Sequence, residues 1–296
     1  MRRNKKEPAW INRNHLFNYP MLIVGSAIAI FFLILTLMGS WLAPNDSLLI
    51  QMQDRLLPPS YTYPLGTDHL GRCILSRLLE GAHTTLGLSL AVIAVVTVIG
   101  VPIGLLSGYI GGRVDAVLMR LADGSGALPE FLIAVAVAGI LGPGLINVML
   151  AVACVKWIGY ARVVRGIVTS ERQKEYIMAS VVAGSSIGNV IGRHLLRQIA
   201  SPLGILIAGD IGRTILLISA LSYLGLGAQP PAPEWGAMLS DGRPYFQAAS
   251  QLMIYPGLCI LMVVLACNLI SDGMRELLDV RGQSTINFRN GRKGET

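Results

Sequence analysis

Few side chains in this sequence stand where they could do chemistry. His69 and Cys73 are four apart and would share a face if that segment were helical. An imidazole and a thiolate can hold a transition metal, but His83 lies farther on and no third ligand stands close by, so no metal site is predicted. Asp210 and Arg213 are three apart inside an apolar block, which puts them on one helix face where they can neutralise each other. Charge within a membrane costs about 2.5–3.5 kcal/mol on insertion scales and is usually paired or functional. Two readings of Asp210 and Arg213 therefore stand: a structural pair facing a water-filled cavity or a partner subunit, and contact with a substrate in its pathway. Lys156 is expected to snorkel to the headgroups, and Glu130 to sit at an interface. No G-x-x-x-x-G-K-[ST], H-E-x-x-H or G-x-S-x-G pattern occurs, so neither a nucleotide cradle nor a catalytic constellation is expected.

The composition says where such residues must lie. Of 296 residues, 53% are hydrophobic and only 14% charged, against about 25% charged in an ordinary soluble domain. The mean hydropathy is +0.58. A soluble enzyme, a secreted disulfide scaffold and a disordered chain are all excluded. The four cysteines (Cys73, Cys154, Cys259, Cys267) have no CxxC spacing, which argues against a disulfide framework or structural zinc. The formal charge of +7 calls for no nucleic acid, because basic residues collect beside membrane spans on the cytoplasmic side.

A helix needs about 20 apolar residues to cross a core of about 30 Å. Six blocks are read as spans: Met21–Ala43, Leu86–Ile110, Leu128–Leu141, Leu145–Ala161, Leu203–Leu224 and Leu252–Ile270, the third and fourth meeting at Gly142-Pro143-Gly144 and the third short unless its helix begins before Pro129. The first is too long for a signal-peptide core and reads as a retained helix. Gly100, Gly104 and Gly108 line one face of the second block, where small residues let helix backbones approach. That seam is either static packing or a surface that shifts in use, and Pro102 permits a kink there. Five Lys/Arg precede the first block (Arg2, Arg3, Lys5, Lys6, Arg13), six lie in 162–201, and five follow the last block (Arg275, Arg281, Arg289, Arg292, Lys293). The other connections carry few. The positive-inside rule then puts both termini and the 162–201 loop in the cytoplasm. The expected organisation is an arm 1–20, a first helix 21–43, and an external segment 44–85, partly helical and capped over a pore. A five-helix core 86–271 and a tail 272–296 follow.

The 162–201 loop is far longer than the usual 2–8 residue connection, about 40 residues, and reads as two short helices broken near Gly184. Its residues Glu175, Tyr176, Ala179, Gly184, Arg193 and His194 resemble the EAA loop of ABC importer permeases. Met178, Ser180 and Arg197 depart from that pattern. Leu65–Arg72 with Ser76-Arg77-Leu78 resembles the external signature of the dipeptide/oligopeptide/nickel class, with Cys73 where that class has Asp. Gly112–Asp115 with Met119-Arg120 and Asp123, Leu224–Gly227 with Glu234–Leu239, and Pro256–Asp279 resemble its later motifs in order. The resemblance is to the second permease subunit of such importers, and it implies an all-α, six-span, type I permease fold in a bacterial inner membrane. It further implies a coupling helix in the EAA loop and a homologous permease as heterodimer partner. Two ATP-binding subunits holding ATP and Mg, and a periplasmic solute-binding protein, complete the implied assembly. The cargo would be peptides, nickel or a metal chelate. An ion-gradient-driven secondary transporter is the alternative; Asp210 and Arg213 are its only support, and it leaves the basic loop unexplained.

Overall fold

The computed structural model describes residues 19–126 and 128–291; the side chains of Ser40, Ser125 and residues 279–291 are outside that description. The basic arm Arg2–Arg13 and the side chains of Arg281, Arg289, Arg292 and Lys293 therefore lie outside the described part. Helices are α1 (Pro20–Leu42), α2 (Ile74–Ile110), α3 (Gly112–Ser125), α4 (Glu130–Leu141), α5 (Leu145–Arg172), α6 (Glu175–Val182), α7 (Ile187–Asn189), α8 (Leu196–Tyr223), α9 (Trp235–Gly242) and α10 (Gln251–Gly291). A π-helical stretch, Val190–Leu195, joins α7 to α8. Extended pairing among the described residues is limited to the bridge between Thr67 and Cys73. Five stretches are long and apolar enough to cross a membrane: Pro20–Gly39, Ile74–Ile110, Leu145–Arg172, Ile187–Tyr223 and Gln251–Leu278. Phe31, Leu37 and Trp41 on α1, and Val98 on α2, stand exposed, which suits a lipid surround in which backbone groups bond within the helix.

Close backbone contacts give each helix a direction. A Cβ on Gly100 would lie 2.7 Å from Tyr160 Cβ, one on Gly104 2.6 Å from the Ala161 carbonyl oxygen, and one on Gly108 2.8 Å from Val168 Cβ. Numbers rise together along both helices, so α2 and α5 are parallel. Gly25 of α1 meets Leu269 while Gly273 meets Leu22, so α1 and α10 are antiparallel. Gly212, Gly209 and Gly204 of α8 face Cys267, Ser271 and Met274 in turn, again antiparallel. The amide of Gly144, before α5, donates to the carbonyl of Leu226, after α8, at 3.0 Å. The described chain thus begins and ends at one end of the bundle, together with α3, α6 and the start of α8. The opposite end carries residues 43–73, the 142–144 turn, and α9.

Several boundaries differ from the charge-free blocks. α2 begins at Ile74 rather than Leu86, so the external segment is shorter and, instead of being part helix, is mostly irregular with one 3-10 turn at Met52–Asp54. Arg77 does not stop the helix, because it is buried and its Nε lies 3.6 Å from Asp68. Residues 162–172 belong to α5, and 187–201 are helical into α8, so the connection between these long helices shrinks to 173–186 with α6 inside it. The third block holds only the 12 residues of α4, which rise about 18 Å; Pro129 at its N-cap sets the start.

The α2–α5 seam leaves no room for a side chain. Gly104→Val should destabilise the purified protein by about 1–3 kcal/mol or more, read as a lowered melting temperature in detergent. Gly87→Ala, where an added Cβ meets nothing within 4 Å, should leave it unchanged or raised.

Candidate functional site

α6 is a short helix held at every corner. Glu175 supplies an acid in its first turn, favourable at the positive end of the helix dipole. Ile177 alone on α6 is buried, at 1% exposure. It packs in a core with Val164, Val168, Val190, Leu195 and Ile199. At the C-terminus the Ser185 amide donates to the Ser180 carbonyl (3.1 Å) and the Gly184 amide to that of Val181 (3.0 Å). This is the Schellman arrangement, whose left-handed residue is usually glycine, and Gly184 sits at φ +84°. The Ser180 hydroxyl donates to Ser185 Oγ at 2.9 Å.

Glu171, on the last turn of α5, fixes the entry to α6. Its carboxylate accepts from Lys174 Nζ at 2.5 Å and from the Tyr176 hydroxyl at 2.7 Å. Those hydrogen bonds push the Lys174 and Tyr176 ionisations above their ordinary values. The Tyr176 ring meets that of His194 edge-on, centroids 5.9 Å apart, so α6 is tied to the π-helical start of α8. Glu171 was not singled out by sequence; acid-x-x-Lys at a helix end was the available signal. What α6 leaves outward is apolar: Met178, Val181 and Val182, the last 88% exposed, with Ile187 beside them. Glu175, Ala179 and Gly184 are exposed as well, as is Arg193, while His194 is half-buried.

The same end of the bundle is clasped by arginines counted above as loop charges. Arg165 pairs with Asp115 of α3 (Nη2 to Oδ2, 2.6 Å), and Ser107 also bonds that carboxylate. Arg162 reaches Asp123 at 2.9 Å, and Arg172 donates to the Tyr109 carbonyl at 2.5 Å. Half of the six basic residues in 162–201 therefore brace α2 and α3 against α5. The Arg165 hydrogen bond, followed by that from Ser107, holds the Asp115 carboxyl below its ordinary value.

Asp210 and Arg213 do not pair. Asp210 takes Lys156 Nζ at 2.6 Å on one oxygen and the Tyr160 hydroxyl at 3.2 Å on the other. Lys156 is 8% exposed, so it does not snorkel; its ammonium also lies 3.5 Å from Glu130. The α5 and α8 helices run antiparallel and bring residues 54 positions apart face to face, a pairing that periodicity on α8 alone could not reveal. Arg213 is exposed and, among the described residues, has no ion pair or hydrogen bond. It lines an open cleft of about 320 Å³ with Glu130, Phe131, Leu216 and Leu217. His69 and Cys73 also diverge: His69 stacks on Tyr245, centroids 5.1 Å apart, while Cys73 is buried.

The end of the bundle opposite α6 is built on Asp68 and Glu234. Asp68, buried, accepts from the amides of Leu70 and Arg72 and from Arg72 Nε at 2.7 Å. Gly71, at φ +77°, passes so near Gln51 that an added Cβ would lie 1.8 Å from its carbonyl oxygen. Glu234 caps α9 through the amides of Gly236 and Ala237, both at 2.9 Å, and accepts from Thr85 at 3.2 Å.

Residues 100–282 match the family described as binding-protein-dependent transport system inner membrane component. The chain belongs to this family. It is 39% identical over 260 residues to Escherichia coli K12 "Probable D,D-dipeptide transport system permease protein DdpC", covering 88% of this chain and 87% of that protein. It is 39% identical over 246 residues to the E. coli K12 nickel transport system permease protein NikC, covering 83% and 89%. It is 41% identical over 250 residues to the di/tripeptide transport system permease protein DppC of Pseudomonas aeruginosa, covering 82% of each. The protein is a multi-pass inner-membrane permease subunit of an importer in the peptide/nickel class. The secondary-transporter alternative falls with the family match, and with the Asp210–Arg213 pair that was its support.

Gly184 has open space where a Cβ would go, so substitution there should act through the backbone alone. Gly184→Ala should cost about 1 kcal/mol, seen as roughly fivefold faster amide exchange confined to residues 175–186.

Proposed function

We propose that this chain is one of two homologous permease subunits of an ATP-driven importer, with two ATP-binding subunits docked on α6. ATP and Mg belong to those subunits, and a solute-binding protein delivers cargo to the opposite end. The observation that carries the reading is α6 itself: a capped, anchored helix whose outward face is apolar, at the end where the brace arginines gather. An exposed apolar patch rimmed by polar residues marks a protein contact. Glu175, Tyr176, Ala179, Gly184, Arg193 and His194 are the residues of this coupling element, and Glu171 positions it. By the positive-inside rule this end is cytoplasmic, with both chain termini on that side.

Helix direction supports a reading with six crossings. Two parallel helices, α2 and α5, need a return between them, and α4 with the residues after Ser125 supplies it. The Gly100, Gly104 and Gly108 seam then holds two crossings of the same sense as one body. Cargo in this reading is a peptide, nickel or a metal chelate, in keeping with the named relatives, and Arg213 belongs to the wall of its pathway.

Mechanistically, closure of the ATP-binding subunits would move α6. The Tyr176–His194 contact and the helical continuity from Ile187 would carry that motion into α8. Val182 is 88% exposed, so Val182→Asp should leave membrane insertion intact and lower substrate-stimulated ATP hydrolysis of the assembled transporter about tenfold or more, with loss of the ATP-binding subunits on purification. Glu175→Ala should lower it less. Full stimulation in both variants would refute α6 as the docking element.

A further inference from the structure

The cleft beside α8 has a chemical asymmetry that goes beyond permease function. Asp210 is neutralised by Lys156, and both its carboxylate oxygens are occupied. One turn on, Arg213 has no partner among the described residues and faces the cleft. The other ionised groups of the wall are Glu130, half exposed, and Lys156; the Lys156 ammonium lies 3.5 Å from Glu130 and is already taken by Asp210. A guanidinium in a membrane span without a counter-charge is costly unless it meets water or an anion. From Arg213 the wall continues along α8 as Leu216 and Ala220 into a second, almost wholly apolar cleft of about 420 Å³. That cleft extends to Tyr223, Leu224 and Leu239. Eleven residues of helix separate Arg213 from Leu224, about 16 Å of rise. The passage toward the outer end is thus an apolar surface ending on a cation that, among the described residues, is unpaired.

A surface of this kind accepts variable apolar groups and reads one fixed charge, the usual division of labour in small-molecule sites. Guanidinium recognises carboxylate through two parallel hydrogen bonds. Resting on the permease reading above, we propose that Arg213 binds a carboxylate of the cargo during passage, which selects peptide-like acids over a bare nickel cation. The Lys156–Asp210 pair keeps the neighbouring charge out of competition for that anion. Glu130 lies on the same wall and suits the cargo's ammonium.

The complete transporter with its binding protein, reconstituted in vesicles, tests this with dialanine and dialanine amide as probes, each supplied at saturation. Arg213→Gln should lower the maximal dialanine uptake rate about tenfold, the effect of losing a charge-assisted hydrogen bond. The apparent KM for the loaded binding protein should stay unchanged. Arg213→Lys should retain a third or more of the rate, and uptake of the amide should be alike in wild type and Arg213→Gln. Equal dialanine uptake by Arg213→Gln and wild type would overturn the proposal. So would an equal loss for acid and amide, failure of the wild type to move dialanine, or dissociation of the variant complex, which would make Arg213 a subunit contact. A wild-type chain that purifies with no ATP-hydrolysing subunit would instead defeat the importer reading itself.

Discussion

The contact on which the architecture rests is the parallel meeting of α2 and α5 along Gly100, Gly104 and Gly108. In lipid there is little hydrophobic drive between helices, so association depends on close van der Waals approach. Small residues at a spacing of four supply a groove deep enough for the α5 backbone and for Tyr160, Val164 and Val168. That approach fixes more than packing. Because the two helices run in the same sense, the chain between them has to go back, and the short α4 has to make the journey. The 12-residue α4 is tolerable because α5 packs along it: Ala134 and Ala138 are fully buried in the α4–α5 region.

Once α5 is set by α2, its far end sets α6. Arg162, Arg165 and Arg172 spend their charges on α3 and the end of α2, which leaves Glu171 free to hold Lys174 and Tyr176. Surface ion pairs are individually weak, about 0–1 kcal/mol. Their value here is in geometry, since they hold the α2–α3 turn and the α5 terminus in one piece. α6 is thereby presented on a rigid mount, while Gly184 and Ser186 let the chain turn back into α7.

Much of this was legible in the sequence. Long apolar blocks, the Gly184 break and the four-residue glycine repeat depend on chain-local physics, and each corresponds to a feature of the fold. The misreadings share one cause. Arg77, Arg162 and Arg165 were treated as loop charge, and Lys156 as a side chain snorkelling to the headgroups, because a charge is expensive in lipid. Each has a distant acid or carbonyl that makes it affordable: Asp68, Asp210, Asp123 and Asp115. Which acid meets which base depends on helix order and direction, and those emerge only from packing. The Asp210–Arg213 pairing failed for the same reason, as spacing on one helix competed with a better partner on another.

That buried pair also bears on how motion could travel. Ile187–Tyr223 is one helical stretch of 37 residues, about 55 Å long, running from beside α6 to the opposite end of the bundle. After the three residues of α7 it passes through the π-helical turn Val190–Leu195, a geometry often found at functional sites. Asp210 lies about 35 Å up this rod, where Lys156 ties it to α5 and, more loosely, to Glu130 on α4. Breaking a buried ion pair by removing one partner costs about 3–5 kcal/mol, so α8 cannot slide far past α5 while Asp210 keeps Lys156. A push on α6 must then either rotate α5 and α8 together or exchange the lysine toward Glu130. Both are discrete rearrangements of packed elements, as coupling over such a distance requires. The α2–α5 seam favours the first, because α5 cannot leave α2 without emptying the grooves at all three glycines.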